Sequence, residues 1–536
     1  MCNTSFLLRC VTCLLFIFGT RCFNECVWTD LKCLTKHLIQ KMNNPSNSKS
    51  YFQIIRSAGL FGGAQVINVI IGILRNKLIA VFLGTIGMGL ISIFESTLDL
   101  IKSMVSLGID TTGVREVSLA SEDKDELDRT VSMIKRWALI LGLVGACICI
   151  FFSRHISLWA FDNDDYTRSI AWLSISLFFN IQAMGELVIL QGMRQIGYMI
   201  KSGLLWNITA FILLAPLYYY FGIQAIVPVF IMVSVITYLS IRHYRKKIDL
   251  EFVPVAFTQL IRRGKFILRI GFFIVLAAIQ TQIALFLVRS MVINRVGLEQ
   301  LGLLQAAWTI TNVYLKLILN SMSADYYPRL SAVSFNNKKA RKLINEQVNV
   351  MLIISVPIIV FLILGSKLLL TLLYSDSFES AYSLLNWRTI GIFFKVISWA
   401  LGFVLLARGK GLLYFITDTS FSVIYLVCIY FLFPYYQLDA VGIAYMVAYI
   451  SYFIIVYCIL RESIHFRWQN HILKSGAIFL ALTLCAFYIA QFTDKNSIPL
   501  MILCLSLSVI YSLYKLNKVY NLKTLCSNIF RNEENK

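Results

Sequence analysis

The sequence predicts an all-α polytopic membrane protein of about 14 transmembrane helices: two parallel six-helix lobes around a central cavity, with two further C-terminal helices. Three observations predict it. The 536 residues are 58% hydrophobic and 14% charged, whereas a soluble domain carries about 25% charged residues. Fourteen apolar segments are separated by short polar ones. Several features of the first half return in the second. Lipid offers no hydrogen-bond partner for an open sheet edge, so the apolar segments are expected to be helices.

Residues 1–41 stand apart. Phe6 to Gly19 is apolar but interrupted by Arg9, and is too short to span. A signal peptide is one reading of it, although no small-residue cleavage pattern precedes Cys22. Met42 opens a polar lead, MNNPSNSKSYFQ, that resembles a natural start, so 1–41 is expected to be a non-native or disordered extension. Six of the 13 Cys fall in the first 33 residues. Cys10 and Cys13 form a lone C-x-x-C with no second pair at zinc spacing, so neither a disulfide framework nor a metal site is expected. No cofactor is expected either.

The spans follow at roughly 57–83, 89–108, 134–152, 169–191, 202–221, 223–241, 266–293, 301–323, 347–373, 383–406, 412–433, 439–460, 473–491 and 498–514. They group as an N-lobe (42–241), a basic linker (242–265), a C-lobe (266–460), two final spans (461–520) and a tail (521–536). The net charge of +21 sits in short loops, which argues for membrane topology and against nucleic acid. With residues 42–56 placed in the cytoplasm, roughly 32 basic residues fall inside and roughly 6 outside. Outer loops lean acidic, with Asp162, Asp164, Asp165, Asp376 and Glu379. Both ends are therefore expected to be cytoplasmic. No outer loop is long enough for a catalytic domain.

The stretch Ile54–Leu90, IIRSAGLFGGAQVINVIIGILRNKLIAVFLGTIGMGL, is apolar enough to cross a bilayer yet carries Gln65, Asn68, Gly72 and Arg75 on one helical face. A charge at membrane depth usually faces a bundle interior. Arg75 is read as facing the cavity. Lys77 admits two readings, cavity or interface, because a lysine near a helix end can snorkel. Gly59, Gly62 and Gly63 are expected to allow close helix packing.

The repeat places Gly84, Gly89 and Leu90 against Gly297, Gly302 and Leu303, 213 residues on. One residue of slip pairs Asn68 with Gln282, Arg75 with Arg289, Lys102 with Lys316 and Arg115 with Arg329. Six spans separate the copies, so the halves are parallel. Transporters of such architecture bind substrate at the repeat interface.

The second span carries Ser92, Glu95, Asp99, Lys102 and Ser106 on one face, and the eighth Thr309, Asn312, Lys316 and Asn320. Lys395, Asp418, Gln182 and Glu186 lie in the tenth, eleventh and fourth spans. Arg75, Arg289, Lys102 and Lys316 around one axis would repel unless carboxylates or an anionic ligand answered them. Arginine offers a fork suited to phosphate oxygens and lysine a point charge. The candidate anion site is therefore Arg75, Arg289, Lys102, Lys316, Lys77, Asn68, Gln282, Asn312 and Lys395. Glu95, Asp99, Glu186 and Asp418 are the candidate coupling or ion-pair carboxylates. The plainer alternative is that Glu95, Asp99 and Lys102 only pair along their own helix. No G-x-x-x-x-G-K-[ST] loop is present, so hydrolysis of ATP by this chain is not expected.

The polar lead, the small-residue start of the first helix, the R-N-K-L-I-A cluster and the L-G-x-x-G-x-G-L link resemble those of O-antigen translocases. These are polysaccharide flippases of the multidrug/oligosaccharidyl-lipid/polysaccharide exporter superfamily. The resemblance covers residues 42 to about 515 and is strongest over 54–115. It implies an undecaprenyl-diphosphate-linked oligosaccharide flipped from inner to outer leaflet of the bacterial inner membrane, with the tail in lipid along the last two spans. The implied partners are that glycan, the bilayer, and the polysaccharide polymerase and chain-length machinery, with no nucleic acid. A peptidoglycan-precursor flippase is the near rival. A drug or cation exporter would want an acidic or aromatic cavity, and a polymerase or ligase would want a large outer loop.

Overall fold

The computed structural model describes residues 48–520 apart from 107, 122, 252, 254–256 and 493–497, with side chains described from Ile67 on. Within α8 and α9, the side chains of 257–271 and of several residues between 314 and 328 also lie outside the described set. The expectations for residues 1–41 and 521–536 lie outside the described residues, as do the surroundings of Gly59, Gly62 and Gly63. The chain divides after Val66, and the helices packed on one another belong to the unit from Ile67 onward.

Sixteen α-helices and two 3₁₀ turns make up the described residues, with no strand among them. They are α1 (Ser48–Ser106), α2 (Ile109–Ala120), α3 (Lys124–Phe151), α4 (Ser153–Phe161), α5 (Thr167–Gly192), α6 (Ile196–Phe221) and α7 (Ile226–Arg245) in the first half. The second half has α8 (Phe257–Val296), α9 (Leu298–Val333), α10 (Asn337–Leu364), α11 (Ser366–Leu373), α12 (Tyr382–Ala407), α13 (Gly411–Tyr436) and α14 (Asp439–Ile464). α15 (Asn470–Phe492) and α16 (Ile498–Tyr520) close the chain. Eleven stretches among the described residues are long and apolar enough to cross a membrane. Two of them, Ile67–Ser106 and Ile196–Arg245, are broken in the middle, at Gly84 and at the turn Gly222–Ala225. With α9 added, this accommodates fourteen crossings.

The breaks have a backbone cause. Gly84 adopts φ 64°, ψ −162°, and bends α1 into two limbs. Gly297, between α8 and α9, adopts φ 89°, ψ 173°. Glycine enters positive φ without the penalty a Cβ imposes, and these two glycines are the same position of the two halves. Further repeats follow. α3 and α10 are each 28 residues and start 213 apart. α6 and α13 are each 26 residues, each with a proline near its end, Pro216 and Pro434. Gly222 (φ 53°, ψ −133°) and Gln437 (φ 46°, ψ −124°) then end them in the same conformation.

Packing repeats as well. In the first half α3 lies on α5, α5 on α7 and α6 on α7; in the second, α10 lies on α12, α12 on α14 and α13 on α14. α15 and α16 rest on α10, outside the repeated pattern. The two halves meet in a seam at their glycines. A Cβ on Gly89 would fall on the carbonyl oxygen of Leu298, and one on Gly302 on that of Thr85. Thr85 and Leu298 are themselves 213 apart, so the contact is reciprocal, as across a two-fold axis. Only glycine lets the second limb of α1 and the start of α9 come this close.

Chain leaving the last helix of each half is tied across the third helix. The backbone N–H groups of Glu251 and Val253 donate to Asp128 Oδ1 and Ser132 Oγ of α3, both at 3.0 Å. On α10, Arg341 Nη1 and Asn345 Nδ2 donate to the carbonyls of His465 (3.2 Å) and Arg467 (3.3 Å), and Asn345 Oδ1 accepts from Gln469 N–H at 3.1 Å. Asp128 and Arg341, and Ser132 and Asn345, are again 213 apart.

The surface suits lipid. Leu74, Val81, Ile212, Val423 and Ile510 are exposed. Exposed aromatics gather at repeat-related helix ends, with Tyr219, Tyr220 and Phe221 on α6 and Tyr430, Phe431, Tyr435 and Tyr436 on α13. Amphipathic rings favour the headgroup level. Inside the first half, Arg245 of α7 forks onto Glu186 of α5, with Nε to Oε2 at 2.6 Å and Nη2 to Oε1 at 3.3 Å. Both residues are buried.

Two outcomes are expected. Gly302→Val overpacks the seam, at a cost of about 1–3 kcal/mol, and lowers the melting temperature of the purified protein in detergent. Arg245→Ala strands a buried carboxylate and costs about 3–5 kcal/mol, a loss that adding Glu186→Gln largely restores in the same melting measurement.

Candidate functional site

A charged cluster sits just inside the glycine seam. The second limb of α1 carries Glu95, half-buried, within electrostatic reach of Arg75, Asp99 and Arg289. Arg75 comes from the first limb of α1 and Arg289 from α8, so guanidiniums from both halves converge on one carboxylate. Arg75 is half-buried, and its Nε is buried with no hydrogen-bond partner among the described residues. The Arg289 Nε donates to Ser92 Oγ at 2.8 Å, and its Nη2 lies 3.5 Å from Gln305 Oε1. Ser92 Oγ in turn donates to Gln305 Oε1 at 2.9 Å, so the three join the second limb of α1 to α8 and α9. Asp99 is exposed. Lys102, two turns beyond Glu95, is half-buried on the same limb.

The cluster extends into the second half through an arginine that sequence reasoning missed. Arg388 of α12 is 1% exposed. Its guanidinium is stacked between Trp308 (4.0 Å to the ring centroid) and Tyr445 (4.2 Å). Its Nε donates to Thr311 Oγ1 at 2.9 Å, and its Nη1 has no hydrogen-bond partner among the described residues. Arg289 faces the same Trp308 ring at 5.4 Å and feels the Arg388 charge. The sign was there to find: a lone arginine inside the apolar run of the tenth span. Gln305 and Trp308 gave no such sign, being ordinary members of a mixed helix face.

A second polar group lies deeper in that half. Lys395 Nζ donates to Tyr445 Oη at 3.2 Å and stands 5.2 Å from the Tyr449 ring centroid. Asp418 accepts from Thr281 Oγ1 at 3.1 Å and lies within electrostatic reach of Lys395. These groups answer one another.

The other expected residues divide. Asn68 accepts from Asn207 Nδ2 at 2.8 Å, which ties α1 to α6. Gln282 and Asn312 are half-buried on α8 and α9. Lys77 turns toward the second half and donates to the carbonyl of Thr371 on α11 at 3.1 Å. Glu186 is held by Arg245, so its carboxylate serves the packing of α5 on α7. The side chain of Lys316 lies outside the described residues. Its pairing with Lys102 also shifts. Helix starts keep the 213 spacing on either side, at Gly84 and Gly297 and at α3 and α10, which makes Leu315 the counterpart of Lys102.

Chemically, the cluster offers forked donors with spare capacity beside a single half-buried carboxylate. Guanidinium groups so placed suit an oxyanion, which they can grip bidentately.

The chain is 22% identical over 400 residues to the lipid III flippase of Escherichia coli K12, covering 71% of this chain and 92% of that protein. It is 22% identical over 349 residues to a Shigella flexneri protein named for O-antigen transport, covering 64% and 82%. Its fold matches that of the lipid II flippase MurJ in an inward closed conformation, with a TM-score of 0.64 at 19% identity, over 86% of this chain and 99% of that one. Residues 78–383, more than half of the chain, match the family model described as polysaccharide biosynthesis protein, and the chain belongs to that family.

Proposed function

We propose that this protein is a flippase that moves an undecaprenyl-diphosphate-linked oligosaccharide, an O-antigen or similar repeat unit, from the inner to the outer leaflet. The observation that carries the reading is the unpartnered buried Nε of Arg75, among the described residues, within electrostatic reach of the same carboxylate, Glu95, as Arg289 of the other half. Arg75 and Arg289 are matched in number by Glu95 and Asp99, so the excess positive charge that a diphosphate can answer comes from Arg388, which acts on Arg289, and from Lys102. The relatives' names support the reading, one naming a lipid III flippase and the other O-antigen transport.

With both termini in the cytoplasm, the seam at Gly89 and Gly302 lies toward the outer face. The conformation described is then sealed outward, by the seam and by the Lys77 bond to Thr371. The diphosphate enters from the inner side and neutralises the cluster. The lobes rock, the seam parts, and the anion leaves outward while the polyprenyl tail stays in lipid beside α15 and α16. A membrane potential negative inside favours outward movement of an anion by about 2.3 kcal/mol per charge per 100 mV. The delivered unit is then a substrate for polymerase and chain-length machinery at the outer face.

Reversing both charges, Arg75→Glu with Arg289→Glu, should abolish surface polysaccharide in a flippase-null strain while the protein still accumulates in the membrane. Normal polysaccharide from that strain overturns the site. Arg388→Gln should lower export about tenfold, the worth of one charge-assisted hydrogen bond, and Arg388→Lys by less. Repeat units reaching the outer leaflet are the readout, with detergent size-exclusion as the check on folding.

A further inference from the structure

Ser92 and Gln305 are one position of the repeat, 213 residues apart, and they touch each other across the seam at 2.9 Å. A position meets its own copy only on a two-fold axis, so this contact marks the axis between the halves. The two arginines near the axis have unequal neighbours. The serine hydroxyl and the glutamine carbonyl together take the fork of Arg289, at 2.8 and 3.5 Å, while the Nε of Arg75 is buried with no acceptor among the described residues. Ser92 is 0% exposed, and its hydroxyl accepts from Arg289 and donates to Gln305.

We propose that Ser92 and Gln305 are positioning residues that hold Arg289 as a latch across the seam, and that an oxyanion opens the latch by taking that guanidinium from them. The proposal rests on the anion site proposed above and adds how its occupancy reaches the seam. The competition favours the oxyanion. Hydrogen bonds from a guanidinium to a carboxylate or phosphate are roughly twice as strong as those between neutral groups, and a bidentate grip adds geometry. Serine and glutamine offer only neutral acceptors. Once Arg289 turns to a ligand, the α1–α8 bond is gone. The Ser92–Gln305 hydrogen bond then remains between α1 and α9. A ligand shifts a conformational equilibrium only by its differential affinity for the two states. Here the difference is explicit, because the latched state has its arginine engaged and the unlatched state has it free.

The test uses the full chain in nanodiscs, with inorganic pyrophosphate as the probe. Affinity is measured by calorimetry, and the seam is followed by amide hydrogen exchange over 85–92 and 298–308. In the wild type, pyrophosphate should bind and raise exchange in both segments. In Ser92→Ala and in Gln305→Leu, exchange should already be raised, and pyrophosphate should bind about fivefold more tightly, because a competing hydrogen bond worth about 1 kcal/mol is gone. Arg289→Lys keeps the charge without the fork, so it should bind pyrophosphate but show an open seam with and without it. A purely structural role for Ser92 and Gln305 would leave affinity unchanged. Binding without a seam response, or affinity that falls or stays the same in Ser92→Ala, overturns the latch and leaves the anion site standing. Failure of the wild type to bind pyrophosphate overturns both.

Discussion

A guanidinium inside a bilayer has no water to answer it, and the fold is arranged around that constraint. The cost of an unanswered charge in hydrocarbon is several kcal/mol at least, so each one must be met by a carboxylate, a ring face, a neutral acceptor or something brought in from outside. Arg245 is met by Glu186, and Lys395 by Tyr445 and Asp418. Arg388 is met by two aromatic faces, a cation–π arrangement that contributes most when desolvated. Arg289 is met by Ser92, Gln305 and the Trp308 ring, and lies with Arg75 within electrostatic reach of Glu95. What is left unmet is the Arg75 Nε, which has no partner among the described residues, and that deficit is what the proposed anion would answer.

The deficit lies where the halves meet, and the halves meet closely because of glycine. At Gly89 and Gly302 backbone touches backbone, which brings the second limb of α1 within side-chain reach of α8 and α9. Serine, arginine and glutamine can then bridge the lobes directly. A bulkier seam would hold the lobes apart and leave Arg289 facing its own half alone. Steric permission at two positions thus sets the electrostatics several residues away.

Hydropathy made the architecture legible from sequence, since a run of apolar residues has few options in lipid. The positive-φ glycines at 84 and 297 made the repeat legible, because both the breaks and the close approach need that residue. Isolated charges in apolar runs pointed to the cluster at Arg75, Glu95 and Arg289. What sequence could not assign was which partner answers each charge. Glu186 and Asp418 look alike as intramembrane carboxylates, yet one is forked by an arginine 59 residues away and the other accepts from a threonine 137 residues away. The one-residue slip between Lys102 and Lys316 was visible in the sequence as an offset of 214 beside one of 213, but which offset governs that stretch depends on where helices begin, which chemistry at the lysines does not record.

The ties across α3 and α10 carry a history. Both halves fasten their outgoing chain at the same two positions, and at one of them the task is met alike: Ser132 and Asn345 each accept from a backbone amide. At the other the polarity is inverted, since Asp128 accepts from a backbone amide whereas Arg341 donates to a backbone carbonyl. An ancestral gene that doubled would have begun with one solution in both places. The copies have since parted at that single position, so the two third helices are no longer interchangeable parts.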